Sequence, residues 1–200
     1  MVILYEVHEN LYVNMTNRCP CACTFCLRQT MDEMNHSGSL WLKREPSVEE
    51  VIAEFDQFDM KKYKELVFCG FGEPTERLED LLKVAAFAKE HFRISIRINT
   101  NGLSDLIYGK DTAPMYEGLV DTISISLNTP DKEEYLKLTR SKFGIQSHDA
   151  LLQFAGNVSK YVPNVILSTV ATTISEEEER QCQEICDKLG VTYRIRPFEE

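Results

Sequence analysis

The sequence predicts an α/β chain with a parallel sheet, closed part-way as a partial barrel of six β/α units. Three observations point there. Short apolar runs alternate with helix-patterned segments from residue 11 to the end of the chain. The 200 residues fall short of the roughly 250 that a full eight-unit barrel takes. Glycine-rich and polar signals recur just after the apolar runs, at the carboxyl ends of strands, where parallel β/α architectures bind ligands.

The elements follow in order. Val2–Val7 is a short β-prone extension, and His8-Glu9-Asn10 reads as a turn. Leu11–Met15 is the first main strand. Residues 30–45 have little periodicity and hold the single tryptophan, Trp41; an irregular stretch of this length suggests a lid or binding loop. Ser47 with Glu50 makes a capping box, and Val48, Val51, Ile52, Phe55 and Phe58 recur at helical spacing. Leu66–Cys69 is wholly apolar, as a strand buried on both faces should be. A helix over Leu78–His91, a strand over Ile94–Asn99 and a short helical region broken at Pro114 come next. After the strand Thr122–Leu127, Thr129-Pro130 reads as an N-cap with proline at the first helical position. Helices over Asp131–Thr139 and Ser147–Tyr161 lead to a strand at Val165–Ala171. Ser175 and Glu178 box the last helix, and Tyr193–Arg196 is the final strand. The reading is one domain over residues 1–200.

Bulk properties narrow the function. Apolar residues make up 43%, enough for a core, but no run approaches the roughly 20 residues of a membrane span. The first residues, MVILYEVHEN, lack a positive n-region, so a cytoplasmic protein is expected. A formal charge of −10 makes nucleic acid an unfavourable partner. Seven cysteines, an odd number, favour metal or thiol chemistry over a disulfide framework.

Four of those cysteines fall within residues 19–26, in NRCPCACTFC. Cys19, Cys23 and Cys26 form a C-x3-C-x2-C set, with Cys21 between the first two. Three thiolates on one loop suit one face of an iron–sulfur cubane, leaving a fourth iron open. A zinc site is the alternative, although paired zinc ligands usually carry a longer spacer between the pairs. A ligand set shifted onto Cys21 is a second alternative. Gly70-Phe71-Gly72-Glu73-Pro74 follows the second strand. Glycine allows close backbone approach, and Glu73 can accept from an ammonium group; an ordinary strand-to-helix turn would look the same. Alternation puts Thr122, Ser124, Ser126 and Asn128 on one strand face, Ser95, Arg97 and Asn99 on another, and Arg194 with Arg196 on a third. The arginines suit either an anion or internal carboxylates. Cys182, Ile185, Cys186 and Leu189 keep helical spacing and read as a core stripe, and Cys69 as a core residue.

Taken together, NRCPCACTFC with Phe25 before the last cysteine, CGFGEPT at 69–75, INTNG at 98–102 and SISLN at 124–128 resemble the signatures of the radical S-adenosylmethionine (SAM) superfamily. The resemblance covers nearly the whole chain. It implies a [4Fe–4S] cluster held by Cys19, Cys23 and Cys26, with SAM on the open iron. It also implies a cofactor site drawing on Phe25, Gly70, Phe71, Gly72, Glu73, Asn99, Ser126, Asn128 and Arg194. The implied reaction is reductive cleavage of SAM to a 5′-deoxyadenosyl radical, which abstracts hydrogen from a substrate. An external electron donor of the flavodoxin or ferredoxin type is implied as partner. More narrowly, LWLKREPSVEEVI and the terminal RIRPF look like the small radical SAM proteins described as TatD-associated, which implies a functional link to a TatD-type metal-dependent hydrolase. Two alternatives stay open: an activase that places a glycyl radical on a partner protein, and a metal-binding interaction module without catalysis.

Overall fold

The computed structural model describes residues 1–29, 31–33 and 36–197. Thr30, Met34 and Asn35 of the expected lid, and Phe198 of the RIRPF pattern, lie outside the described residues. The chain forms two compact units. The first holds residues 1–19, 25–99 and 119–121; the second holds 20–24, 100–118 and 122 onward.

In the first unit the strands β1 (Leu4–Val7), β2 (Asn10–Val13), β3 (Glu65–Phe68) and β4 (Ser95–Thr100) lie side by side in chain order. The N-terminal extension pairs antiparallel with β2, Leu4 opposite Val13. From β2 onward pairing is parallel, so Leu11, Leu66 and Ile96 form one row. Helix α1 (Val48–Glu54) starts at Ser47, whose side chain accepts from the Glu50 amide while Glu50 reaches back to the Ser47 amide. Helix α2 (Leu78–Phe92) packs against α1, and Phe55, Phe87 and Phe92 form a ring cluster with centroids 5.5–6.3 Å apart. Leu11, Leu66, Phe68, Ile96 and Ile98 are fully buried, as are Leu78, Leu81, Val84 and Ala85. Burying each such side chain contributes about 1.5–3 kcal/mol, which is why the alternating apolar pattern fixes register.

In the second unit β5 (Thr122–Ser126), β6 (Asn164–Val170) and β7 (Thr192–Arg196) are parallel, with Ser126 opposite Ser168. The helices are α3 (Ser104–Tyr108), α4 (Lys132–Thr139), α5 (Gln146–Val158) and α6 (Glu176–Leu189). Cys182 and Cys186 are fully buried on α6, and desolvation pushes their thiols up to about 11 and about 12. They are core residues, as their spacing predicts. The Thr129-Pro130 start for α4 is displaced by two residues. Asp131 Oδ1 accepts from both the Glu133 and Glu134 amides at 2.9 and 2.8 Å, and two bonds outcompete a threonine cap. Thr129 instead accepts from the Asp131 amide. Among the described residues no helix is long and apolar enough to cross a membrane.

Candidate active site

The approach to the cysteine loop is built by buried polar residues that sequence reading passed over. Beyond β2 the chain continues through Asn14 and Thr16, both essentially buried. Asn14 Nδ2 donates to the carbonyls of Val2 (3.2 Å) and Leu40 (2.7 Å). Asn17 takes both backbone groups of Leu42: its Nδ2 donates to the Leu42 carbonyl at 2.7 Å and its Oδ1 accepts from the Leu42 amide at 3.1 Å. Residues 40–42 are thereby tied to the segment that feeds Cys19.

Glu45 is the second anchor. Its Oε1 accepts from the Thr16 hydroxyl at 2.5 Å and from Arg18 Nε at 2.7 Å. Arg77, nearly buried, lies 3.9 Å away and donates to the Met15 and Pro46 carbonyls. Burial opposes ionisation of Glu45, but the Thr16 hydroxyl and the two guanidinium groups outweigh it and hold the carboxyl below its ordinary value. The folded state therefore favours the ionised form. That contribution is present above the unfolded pKa near 4.3 and is lost as pH falls through the lower folded value. Glu45→Gln is expected to lower the thermal midpoint at pH 7 by roughly 2–4 °C. The gap to wild type should narrow in melts below about pH 4; an equal gap at pH 7 and pH 3 would contradict this role.

The glycine-rich turn lies against the same segment. A Cβ on Gly72 would stand 2.2 Å from the Thr16 carbonyl oxygen and 2.7 Å from that of Arg18. A Cβ on Gly70 would stand 2.2 Å from Asn14 Oδ1. The Glu73 amide donates to the Arg18 carbonyl at 2.8 Å. The two glycines thus have a reason within the protein itself: they let the turn seat on the backbone leading to Cys19. Glu73 is buried, and its Oε1 accepts from the Thr75 amide and hydroxyl, capping the short turn Pro74–Arg77. Phe71 is buried against Tyr5 and Leu40, and Arg28 Nη1 donates to the Asn17 and Phe71 carbonyls. Asn99, at the end of β4, has a buried Oδ1 with no hydrogen-bond partner among the described residues. An unmet buried acceptor of this kind costs about 1–3 kcal/mol unless a ligand or water meets it. Arg97 meets the internal alternative: its Nε lies 3.0 Å from Glu65 Oε2, in poor hydrogen-bond alignment but at ion-pair distance.

In the second unit, the stretch Pro20–Thr24 is pinned to the end of α4. The Ala22 amide donates to the Thr139 carbonyl and the Thr24 amide to the Leu138 carbonyl, both at 2.9 Å, and the Lys142 amide donates to the Pro20 carbonyl. These bonds satisfy carbonyls that a helix end leaves open. Cys21 is buried, 5% exposed, with Asn101 Nδ2 3.9 Å from its sulfur. Cys19, Cys23 and Cys26 are all part-exposed, and Phe25 is exposed. No disulfide joins any of the seven cysteines. Asn128 is buried in the left-handed region (φ 66°); the Leu127 and Asn128 amides both donate to the Ser168 carbonyl, and Asn128 Nδ2 donates to the Ser126 carbonyl. Ser126 is half-buried and Arg194 exposed.

The donor set suits an iron–sulfur cubane. Three reachable thiols lie on one loop, and the fourth is turned into the fold. Among the described residues no three His, Cys, Asp or Glu side chains converge on a single point; a cubane does not ask that, since each thiolate binds a different iron. The Radical SAM superfamily model matches residues 13–189. The chain belongs to the radical SAM superfamily. Its cofactors are a [4Fe–4S] cluster and SAM, and enzymes of this superfamily need an electron donor. The chain is 31% identical over 142 residues to a GTP 3′,8-cyclase of Corynebacterium glutamicum, a match covering 68% of this chain and 35% of that protein. It is 25% identical over 193 residues to a probable GTP 3′,8-cyclase of Thermococcus kodakarensis, covering 95% of this chain and 57% of that one. Streptococcus suis SuiB bound to its precursor peptide SuiA superimposes with a TM-score of 0.70 at 15% identity, over 98% of this chain and 41% of SuiB. The chain therefore spans about a third of the first of these relatives and just over half of the second. The fold is that of the radical SAM proteins, an α/β partial barrel on a parallel sheet.

Proposed function

We propose that this chain is the catalytic core of a radical SAM enzyme in which Cys19, Cys23 and Cys26 hold the cluster. The observation that carries the reading is the division of the loop: those three thiols are part-exposed, while Cys21 is buried. The cluster and SAM, when bound, supply a 5′-deoxyadenosyl radical able to abstract a hydrogen atom from substrate. The protein's part is placement and exclusion of water. Gly70 and Gly72 let the turn after β3 press on the Asn14–Arg18 segment and fix where Cys19 stands. The Asn99 Oδ1 offers a buried acceptor to a ligand N–H or O–H. Phe25, Phe71, Glu73, Ser126, Asn128 and Arg194 complete the proposed cofactor contacts. Residues 1–200 act as one core domain in this reading, with the irregular stretch 30–45 as a lid or binding loop.

The reading places the protein in the cytoplasm, where seven thiols stay reduced, with a flavodoxin- or ferredoxin-type electron donor. The TatD-associated pattern adds a functional link to a TatD-type hydrolase. Because its relatives are named as GTP 3′,8-cyclases, GTP is the first substrate to try. The test is anaerobic reconstitution with iron and sulfide, then dithionite and SAM, with 5′-deoxyadenosine read by chromatography. Formation of 5′-deoxyadenosine by an oxygen-sensitive brown protein is the expected result. Tight zinc binding without SAM cleavage would overturn it.

A further inference from the structure

The single tryptophan is displayed on a clamped backbone. Trp41 is 40% exposed, while its neighbours Leu40 and Leu42 are 1% and 6% exposed. Both neighbours are held: the Leu40 carbonyl by Asn14 Nδ2, the Leu40 amide by the Asp32 carbonyl at 2.7 Å, and both backbone groups of Leu42 by Asn17. The Asn17 carbonyl in turn accepts from Arg28, two residues beyond Cys26. The loop carrying the last cysteine and the strip carrying Trp41 are thus tethered to one asparagine. The indole meets the Phe71 ring in a T-shaped contact, centroids 5.2 Å apart and planes at 65°. That contact fixes the indole's tilt and leaves much of it uncovered.

Burying Leu40 and Leu42 requires only that residue 41 point outward, and any polar side chain would do that at less cost than an indole. A large aromatic surface fixed in orientation and left uncovered is what a stacking platform needs: contact area with little ordering to lose on binding. Every nucleobase offers a face to such a platform, whatever its hydrogen-bonding edge. We propose that Trp41 is a stacking platform for a purine ring, supplied either by a nucleotide substrate or by the adenosyl group of SAM. The inference rests on the radical SAM reading for its choice of ligands.

Because Trp41 is the only tryptophan, its fluorescence reports on this position alone. The full-length protein, reconstituted with its cluster and kept anaerobic without reductant, is titrated with guanosine, GTP, adenosine, SAM and inorganic triphosphate. Saturable quenching by guanosine and GTP identifies the substrate as the source of the purine; quenching by adenosine and SAM identifies the cofactor. Calorimetry then compares wild type with Trp41→Phe and Trp41→Ala. Loss of the ring is expected to weaken binding of the quenching ligand by roughly fivefold to a hundredfold, with phenylalanine retaining part of it. Quenching by triphosphate alone, no saturable quenching by any nucleoside, or unchanged affinity in Trp41→Ala with a native thermal midpoint would each overturn the proposal. The two readings fail separately: wild type that cleaves SAM but shows no quenching sinks only this inference, whereas absence of SAM cleavage sinks the functional reading.

Discussion

Cys23→Ala is expected to yield a protein that takes up no cluster iron on anaerobic reconstitution and releases no 5′-deoxyadenosine, while keeping its fold. Cys23 is part-exposed on the loop, so with the proposed ligand set its loss would remove a ligand and little packing. The drop in activity should exceed the roughly 10–100-fold that losing an outer-shell partner of a metal site costs. Cys21→Ala should do the reverse. Cys21 is 5% exposed, so its truncation costs about 1 kcal/mol of stability, while iron content and SAM cleavage survive. Iron content, absorbance near 400 nm and thermal melts separate the two variants. A Cys21→Ala protein that loses its iron while Cys23→Ala keeps it would reverse the ligand assignment.

Gly72→Ala carries the largest expected structural effect. The atoms a methyl group would strike are the backbone oxygens of Thr16 and Arg18, at 2.2 and 2.7 Å, and backbone cannot rotate away as a side-chain tip can. Overpacking of this kind costs about 1–3 kcal/mol or more, a midpoint lower by roughly 3–10 °C. The strand lead-in to Cys19 must shift to relieve it, so cluster occupancy should fall as well. Gly156→Ala is the contrast. It lies within α5, where the nearest atom to a new methyl is Leu189 Cδ2 at 3.3 Å, the movable end of a side chain. Helix propensity favours alanine there by about 1 kcal/mol, so that variant should be unchanged or more stable. Equal melts for the two variants would refute the seating of the turn on the loop.

What the sequence made legible was local. Ser47 with Glu50 and Ser175 with Glu178 are capping boxes in the structure, because each needs only residues three apart. The apolar strands and the buried stripe of Cys182 and Cys186 follow from periodicity alone. The cysteine spacing and the glycine-rich turn carried the family. The clamp on the loop was not legible. Asn14 and Leu40 are 26 residues apart, Thr16 and Glu45 are 29 apart, and Arg77 reaches Met15 across 62. No short pattern announces such partners. A polar run between an apolar strand and a cysteine looks like solvent-facing loop until its burial is known. Likewise Arg97 left two readings open until Glu65 was placed beside it.

The bonds between the Pro20–Thr24 stretch and α4 bear on redox behaviour. Amide N–H groups near an iron–sulfur cluster often donate to its sulfurs, and such hydrogen bonds help set the reduction potential. The Ala22 and Thr24 amides are already committed to the Thr139 and Leu138 carbonyls, so neither is available to a sulfur atom. Those carbonyls also form the negative end of the α4 dipole. A cluster held by this loop would lack those two amides as donors, which would disfavour added negative charge and lower its reduction potential, as a one-electron reductant requires.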